Sequence, residues 1–404
     1  MSLAALAPSL LVASQRIAER LTADRRHLHQ HPELGFQEFE TSRFVQRRLA
    51  ELGIPFRVPI ATTGVAAVIE GTAPGPGRTV LLRADMDALP IQEESDLPYR
   101  STVAGVMHAC GHDAHTAILL GAAEVLLGER RRFSGSVKLA FQPCEERFPG
   151  GALAMIEEGV LENPRVDAAF GLHCTPQLET GTLGYRAGPV SAASDRFTIR
   201  IRGKGGHAAR PNSCVDAVVV AAQTVVMLQT LISRETSPIQ PAVVTVGAIH
   251  AGDAHNVIPA EAEIRGTVRT YDVALRATLG QRVREVAEGV ARTMRAEAEV
   301  LYTMGYPPLV NDPSMTRLAR DSGIEVVGSD NVVEGEQALG GEDMAYFMQR
   351  VPGCFFRLGT GNRARGITFG NHHARFNVDD AALPIGVAAM CATALRFLAR
   401  AEAA

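Results

Sequence analysis

The sequence predicts an α/β protein of two domains, the second inserted into the first. Three observations predict it. At 404 residues the chain exceeds what one ordinary core serves. Over residues 1–186 and again over 305–404, helical stretches alternate with short buried runs such as Thr79–Arg83 and Gly135–Gln142. Between them, over 187–304, the order is strand, helix, strand, strand, helix, strand, that of a small ferredoxin-like α+β domain.

Composition excludes several classes of function. A net charge of -4, with no basic cluster interleaved with aromatics, argues against a nucleic-acid partner. No uninterrupted apolar run reaches about eighteen residues, so no membrane partner is expected. Six cysteines in a chain this long make no disulfide framework, and the apolar start lacks a charged leader and is interrupted by Pro8. A cytoplasmic protein with free thiols is expected.

Residues 10–31 read as a helix with Leu10, Ile17, Leu21 and Leu28 on roughly one face. His27, His29 and His31 alternate along it, a spacing that a helix does not gather, so they are assigned structural or surface roles. Glu38–Leu52 is a second helix, ended by Gly53 and followed by Pro55. Gly64–Glu70 and Thr79–Arg83 read as strands, the latter leading into Ala84-Asp85-Met86-Asp87. Ligands of α/β proteins bind at the carboxyl ends of parallel strands. Asp87 is placed to hydrogen-bond a ligand histidine and set its tautomer, whereas Asp85 either joins it or caps a turn.

Val106–His115 holds three imidazoles, one thiol and one carboxylate. If this is a loop, Gly111 lets Cys110 and His112 turn toward one point, and His and Cys ligands suit zinc, cobalt or nickel. A histidine-rich turn entering the apolar helix Thr116–Leu127 is the other reading. The strand Gly135–Gln142 runs into Pro143-Cys144-Glu145-Glu146. Two adjacent carboxylates in a dry pocket are costly unless something positive compensates them. One can bind metal while the other takes a proton from water; a solvent-facing turn is the alternative. Gly150-Gly151 opens a helix to Glu158, and the strand Ala168–His173 ends beside Cys174. Three strand ends thus deliver Asp85 and Asp87, Glu145 and Glu146, and His173, which is what a hydrolase site needs.

In the insertion, Phe197–Arg202 alternates apolar and polar side chains as a half-buried strand does. His207 follows a Gly pair and Asn256 sits between strands, both placed as donors to an oxyanion or a substrate carboxylate. Beyond it, Ser314–Ser322 reads as helix, Glu325–Val327 as strand, Gly340–Phe347 as the start of a helix and Cys354–Leu358 as strand. Asn371-His372-His373-Ala374-Arg375 precedes a last helix, Ala382–Glu402, and either histidine serves as a further ligand. No Gly-x-Ser-x-Gly elbow occurs.

Together, Arg83–Pro90, Met107–His115, Gln142–Glu146, Phe170–His173, Gly203–His207 and Pro241–Thr270 resemble the aminoacylase and carboxypeptidase-G-like dinuclear metallopeptidase superfamily over nearly the entire chain. Within it, the resemblance is to the amidohydrolase branch of hippurate hydrolases, N-acyl-amino-acid hydrolases and auxin-conjugate hydrolases. It implies a zinc-peptidase-like catalytic domain, with a mixed central sheet flanked by helices, and an inserted lid or dimerisation domain. It implies two divalent ions (zinc, manganese, cobalt or nickel) on Cys110, His112, Glu146, His173 and His372, with Glu145 as general base and Asp87 orienting a ligand. His207 and Asn256 match substrate or oxyanion residues, and the substrate carboxylate calls for Asn256 or Arg269. The implied reaction is hydrolysis of a small N-acyl amino acid by a homodimer or homotetramer. A dipeptidase or aminopeptidase on the same fold and a non-enzymatic conjugate-binding protein are the alternatives. Two positions depart from the branch: His373-Ala374 follows His372 where Ser-Pro-like residues are usual, and Cys144 stands where Ala is frequent.

Overall fold

The computed structural model describes residues 7–399. The chain divides into two units. The first comprises the residues up to Gly188, Val310–Glu336 and those from Asp343 onward; the second comprises Pro189–Leu309 and Gln337–Glu342. The expected boundaries at 187 and 304 are therefore displaced to 189 and 309, and the return of 337–342 to the second unit was not expected.

Among the described residues, the first unit is built on an eight-stranded mixed sheet. Its order is Phe56–Ile60, Gly64–Glu70, Ser136–Gln142, Thr79–Asp85, Ala168–Glu179, Gly353–Gly361, Leu183–Tyr185, Val332–Glu334. Ser136–Gln142, Thr79–Asp85, Ala168–Glu179 and Gly353–Gly361 run parallel, so their carboxyl ends share one edge. All seven residues of Thr79–Asp85 are buried, as expected of a strand covered on both faces. The helices His112–Gly128 and Leu383–Leu398 are apolar almost all round and form the core with Ala7–Arg16, Ala18–Gln30 and Pro313–Val327. Cys110, Cys144, Cys174, Cys214, Cys354 and Cys391 are all buried and unpaired in disulfides.

Several expected elements differ. The helix over 10–31 is two helices, Ala7–Arg16 and Ala18–Gln30, broken at Ile17 where φ is −103° and ψ is 8°. The helix expected from Thr116 begins at His112, because Gly111 takes a left-handed conformation (φ 94°) that ends the loop one turn earlier. The strand Ala168–Glu179 runs on past His173, held by Gly353–Gly361, although its other neighbour Thr79–Asp85 pairs only as far as Gly171. Glu325–Val327 is not a strand. It completes the helix Pro313–Val327, which ends at Gly328 (φ 84°). The helix expected from Gly340 spans only Met344–Met348, since the Asp343 carboxylate is engaged by Arg83, Gln142 and the Ala152 amide rather than capping it. The last helix ends at Leu398, and its expected end at Glu402 lies outside the described residues.

The second unit carries a four-stranded antiparallel sheet in the order Ala242–His250, Glu261–Thr270, Ala193–Arg202, Glu297–Thr303. The helices Ala217–Leu228 and Val273–Thr293 share its apolar core with Phe197, Ile199 and Ile201. This is the ferredoxin-like arrangement. The helix Ala217–Leu228 starts where it does because Asp216 caps it, accepting from the Val218 and Val219 amides.

Candidate metal centre

The carboxyl edge of the parallel strands gathers Asp87, Cys110, His112, Glu145, Glu146, His173 and His372. Donor atoms of Cys110, His112 and His173 lie within 4.8 Å of one another, as do those of Cys110, Glu146 and His372, and those of His112, Glu145 and Glu146. Cys110, His112 and Glu146 each belong to two of these groups.

Each imidazole is fixed by a partner whose chemistry is unambiguous. His112 Nδ1 lies 2.8 Å from the Asp87 carbonyl and 3.2 Å from its carboxylate, so Nδ1 carries a proton and Nε2 is the nitrogen turned to the site. His173 Nδ1 donates to the Cys174 carbonyl at 2.8 Å, and its Nε2 faces the Cys110 thiol at 3.5 Å. His115 differs: its Nε2 accepts from the Cys174 amide at 2.9 Å and its Nδ1 donates to Asp85 at 2.6 Å. Both of its nitrogens are used, so His115 and Asp85 position the strand that carries His173 and are not free to ligate.

His372, not His373, reaches the cluster, with Nε2 at 3.1 Å from Glu146 Oε1 and a left-handed backbone (φ 65°) whose amide donates to the Ala109 carbonyl. His373 stacks on Phe369 and accepts from the Arg375 amide. Asp87 binds the adjacent pair: its two oxygens accept from the Glu145 and Glu146 amides at 2.9 and 3.0 Å.

Electrostatics show what the donors require. Burial would raise the Asp85 carboxyl, but His112, Arg83 and His115 outweigh it and hold it well below its ordinary value. Burial opposes protonation of His112, yet Asp85, Asp87 and Glu146 push its pKa up to about 10. Burial, helped by the Arg357 guanidinium, holds the His173 imidazole well below its ordinary pKa. Burial and the charges of Glu146, Glu145 and Asp85 hold the Cys110 thiol far above its usual range. Four carboxylates and a thiol thus surround His112 Nε2, which is buried without a hydrogen-bond partner and stands 3.9 Å from Glu146 Oε1. Divalent cations supply what is missing, and the S, N and O donors fit them. Zinc at a hundred times its Kd should add about 2.7 kcal/mol to stability. Cys110→Ala should shrink the zinc-dependent rise in Tm, as differential scanning fluorimetry would read.

The other candidate residues belong to the second unit. His207 lies on the short strand Gly206–His207, which pairs with Val257–Ile258, and the Ala208 amide donates to the Asn256 carbonyl. His207 Nδ1 accepts from the Ala209 amide at 3.0 Å, which places its proton on Nε2. Arg269 stands on Glu261–Thr270, opposite Ser194 and Val243. The roles of His115 and Asp85 in orienting ligands, and of Asn371, whose amide donates to the Cys110 carbonyl at 3.2 Å, were not read from the sequence. His115 did carry a signal: it lies three residues after His112, hence on the same helix face.

Residues 81–396 match Peptidase family M20/M25/M40. The chain belongs to this family. It is 43% identical to the N-acetyl-L-cysteine deacetylase of Bacillus subtilis, over 91% of this chain and 85% of the relative. It is 38% identical to thermostable carboxypeptidase 1 of Saccharolobus solfataricus, over 92% of this chain and 94% of the relative. The crystal structure of the Bacillus subtilis YXEP protein, a dinuclear metal-binding peptidase of the M20 family, is similar with a TM-score of 0.83 and 38% identity, covering 95% of this chain and 99% of that one. This M20 protein is a metal-dependent hydrolase of amide or peptide bonds.

Proposed function

We propose that this M20 hydrolase cleaves the amide of N-acyl amino acids, as in the amidohydrolase branch, releasing a carboxylic acid and a free amino acid. The observation that carries the reading is Arg269. Its Nη1 is buried with no hydrogen-bond partner among the described residues, although the side chain is only half-buried, and such an unpaired cationic donor suits a carboxylate such as the one on the amino-acid half of the substrate. Asn256 offers a second donor.

Cys110, His112, Glu146, His173 and His372 are proposed to hold two divalent ions, which when bound supply Lewis acidity and lower the pKa of water. Glu145 takes the proton of the attacking water and returns it to the leaving amine. Asp87 keeps His112 in its ligating tautomer and, through their amides, keeps the Glu145–Glu146 pair in register. His207, with its proton on Nε2, is the proposed donor to the developing oxyanion, a group whose removal typically costs about 3 kcal/mol. A carboxypeptidase acting on short peptides is the second reading, favoured by the Saccharolobus relative. Both need the carboxylate donor and differ on the acyl side. Turnover of N-acetyl, N-benzoyl and indole-acetyl amino acids against dipeptides, with chelated and reloaded enzyme, separates them. Release from dipeptides alone would overturn the first reading.

A homodimer is also proposed. Val218, Val219, Val226 and Met227 are exposed on one stripe of the helix Ala217–Leu228, and the strand Ala242–His250 is an unpaired sheet edge. A second copy would cover both by twofold symmetry. Val226→Glu should give a monomer by light scattering; an unchanged mass would overturn the assignment.

A further inference from the structure

We propose that Glu38 is a positioning residue that holds the Glu145–Glu146 pair in place through the Cys144 amide. The inference rests on the reading above, in which Glu145 carries protons and Glu146 ligates.

Glu38 directly precedes the helix Phe39–Glu51 and is fully buried. Its Oε1 accepts from the Cys144 amide at 2.8 Å and its Oε2 from the Thr63 hydroxyl at 2.6 Å. Cys144 has φ 49°, a left-handed conformation that a residue bearing a Cβ keeps only where its surroundings hold it. That turn aims the next two amides, of Glu145 and Glu146, at the two oxygens of Asp87. Three successive N–H groups therefore end on two buried carboxylates, a concave run of backbone donors of the kind that binds anions. Asp87 accounts for two of the three, and only Glu38 accounts for the first.

Close packing leaves the turn no easy alternative on its flanks. A Cβ on Gly35 would stand 2.6 Å from Cys144 Sγ, and one on Gly151 would stand 2.0 Å from the Pro143 carbonyl oxygen. The Cys144 carbonyl in turn accepts from the Gly151 amide at 2.9 Å. Without the Glu38 carboxylate, the Cys144 amide would be buried and unpaired. The escape is rotation of Cys144 out of the left-handed region, which carries Glu145 and Glu146 with it. A displacement of about 1 Å at reacting groups can cost about 10²-fold in rate.

The test is Glu38→Ala beside Glu38→Gln, with zinc affinity read by chelator competition and with kcat and KM measured at saturating zinc. Glutamine keeps an oxygen for the Cys144 amide and can donate to the Thr63 hydroxyl. The alanine variant should bind zinc about 10- to 100-fold more weakly. It should also lose about 10²-fold in kcat with KM nearly unchanged. The glutamine variant should stay close to the parent on every measure. A folded alanine variant with parental zinc affinity and kcat would overturn the proposal. So would a glutamine variant as impaired as alanine, which would assign the effect to charge. If Glu38→Ala does not fold, Thr63→Val, which releases Oε2, should show a smaller loss of the same kind, and no loss there would overturn it. Zinc affinity is read without substrate, so a parent enzyme inactive on every substrate would refute the hydrolytic reading while the affinities still decide this one.

Discussion

Glu145→Gln should lower kcat by about 10³-fold while the two-metal content and KM stay at the parent's values. The size follows from what general acid–base catalysis contributes, about 10²- to 10⁴-fold. Glu145 is almost fully buried, and its amide is held by Asp87, so the isosteric amide keeps the backbone geometry and the volume. What it loses is the ability to accept a proton. The metal-ligating role proposed for Glu146 is untouched, which is why zinc stoichiometry separates loss of the base from collapse of the site. Unchanged turnover in the variant would remove Glu145 as the proton carrier.

Asp195→Ala should destabilise the second unit by about 3–5 kcal/mol, the cost of leaving a buried charge without its partner. Asp195 is completely buried, and its carboxylate accepts from Arg276 Nη2 at 2.6 Å, Arg276 Nε at 3.0 Å, Tyr302 Oη at 2.9 Å and the Gly305 amide at 2.9 Å. Removing it strands the Arg276 guanidinium, which is itself nearly inaccessible. Because all four donors belong to the second unit, the loss should be local. Amides of Ala193–Arg202 and Val273–Thr293 should exchange about 10²-fold faster or more, with Leu383–Leu398 unchanged. Equal acceleration in both units would show that they unfold as one.

Periodicity found most of the larger elements, because Thr79–Asp85 and Ser136–Gln142 are short runs rich in apolar residues and Phe197–Arg202 alternates. It missed Phe56–Ile60 and Leu183–Tyr185, which are short, lie toward the sheet's margins and carry little pattern of their own. It misplaced the start of His112–Gly128 because histidine reads as polar, although His112 and His115 are both buried there. Local spacing marked Cys110, His112, Glu145 and Glu146 as residues with chemistry, and the resemblance selected His372. What spacing could not supply was the set of partners that fixes each donor. The Asp85–His115–Cys174 chain and the Glu38–Cys144 bond join segments dozens of residues apart, and only the folded sheet edge brings them together.

The burial of every cysteine makes the protein its own clock for opening. A thiol reagent in solution reacts only after a side chain is uncovered, so the rate of modification reports local unfolding rather than intrinsic reactivity. Five of the thiols belong to the first unit, and Cys214 alone belongs to the second. Mass spectrometry of the labelled chain therefore resolves the two units without any engineered probe. Cys214 times the smaller unit, and fully buried thiols such as Cys354 and Cys391 time the larger.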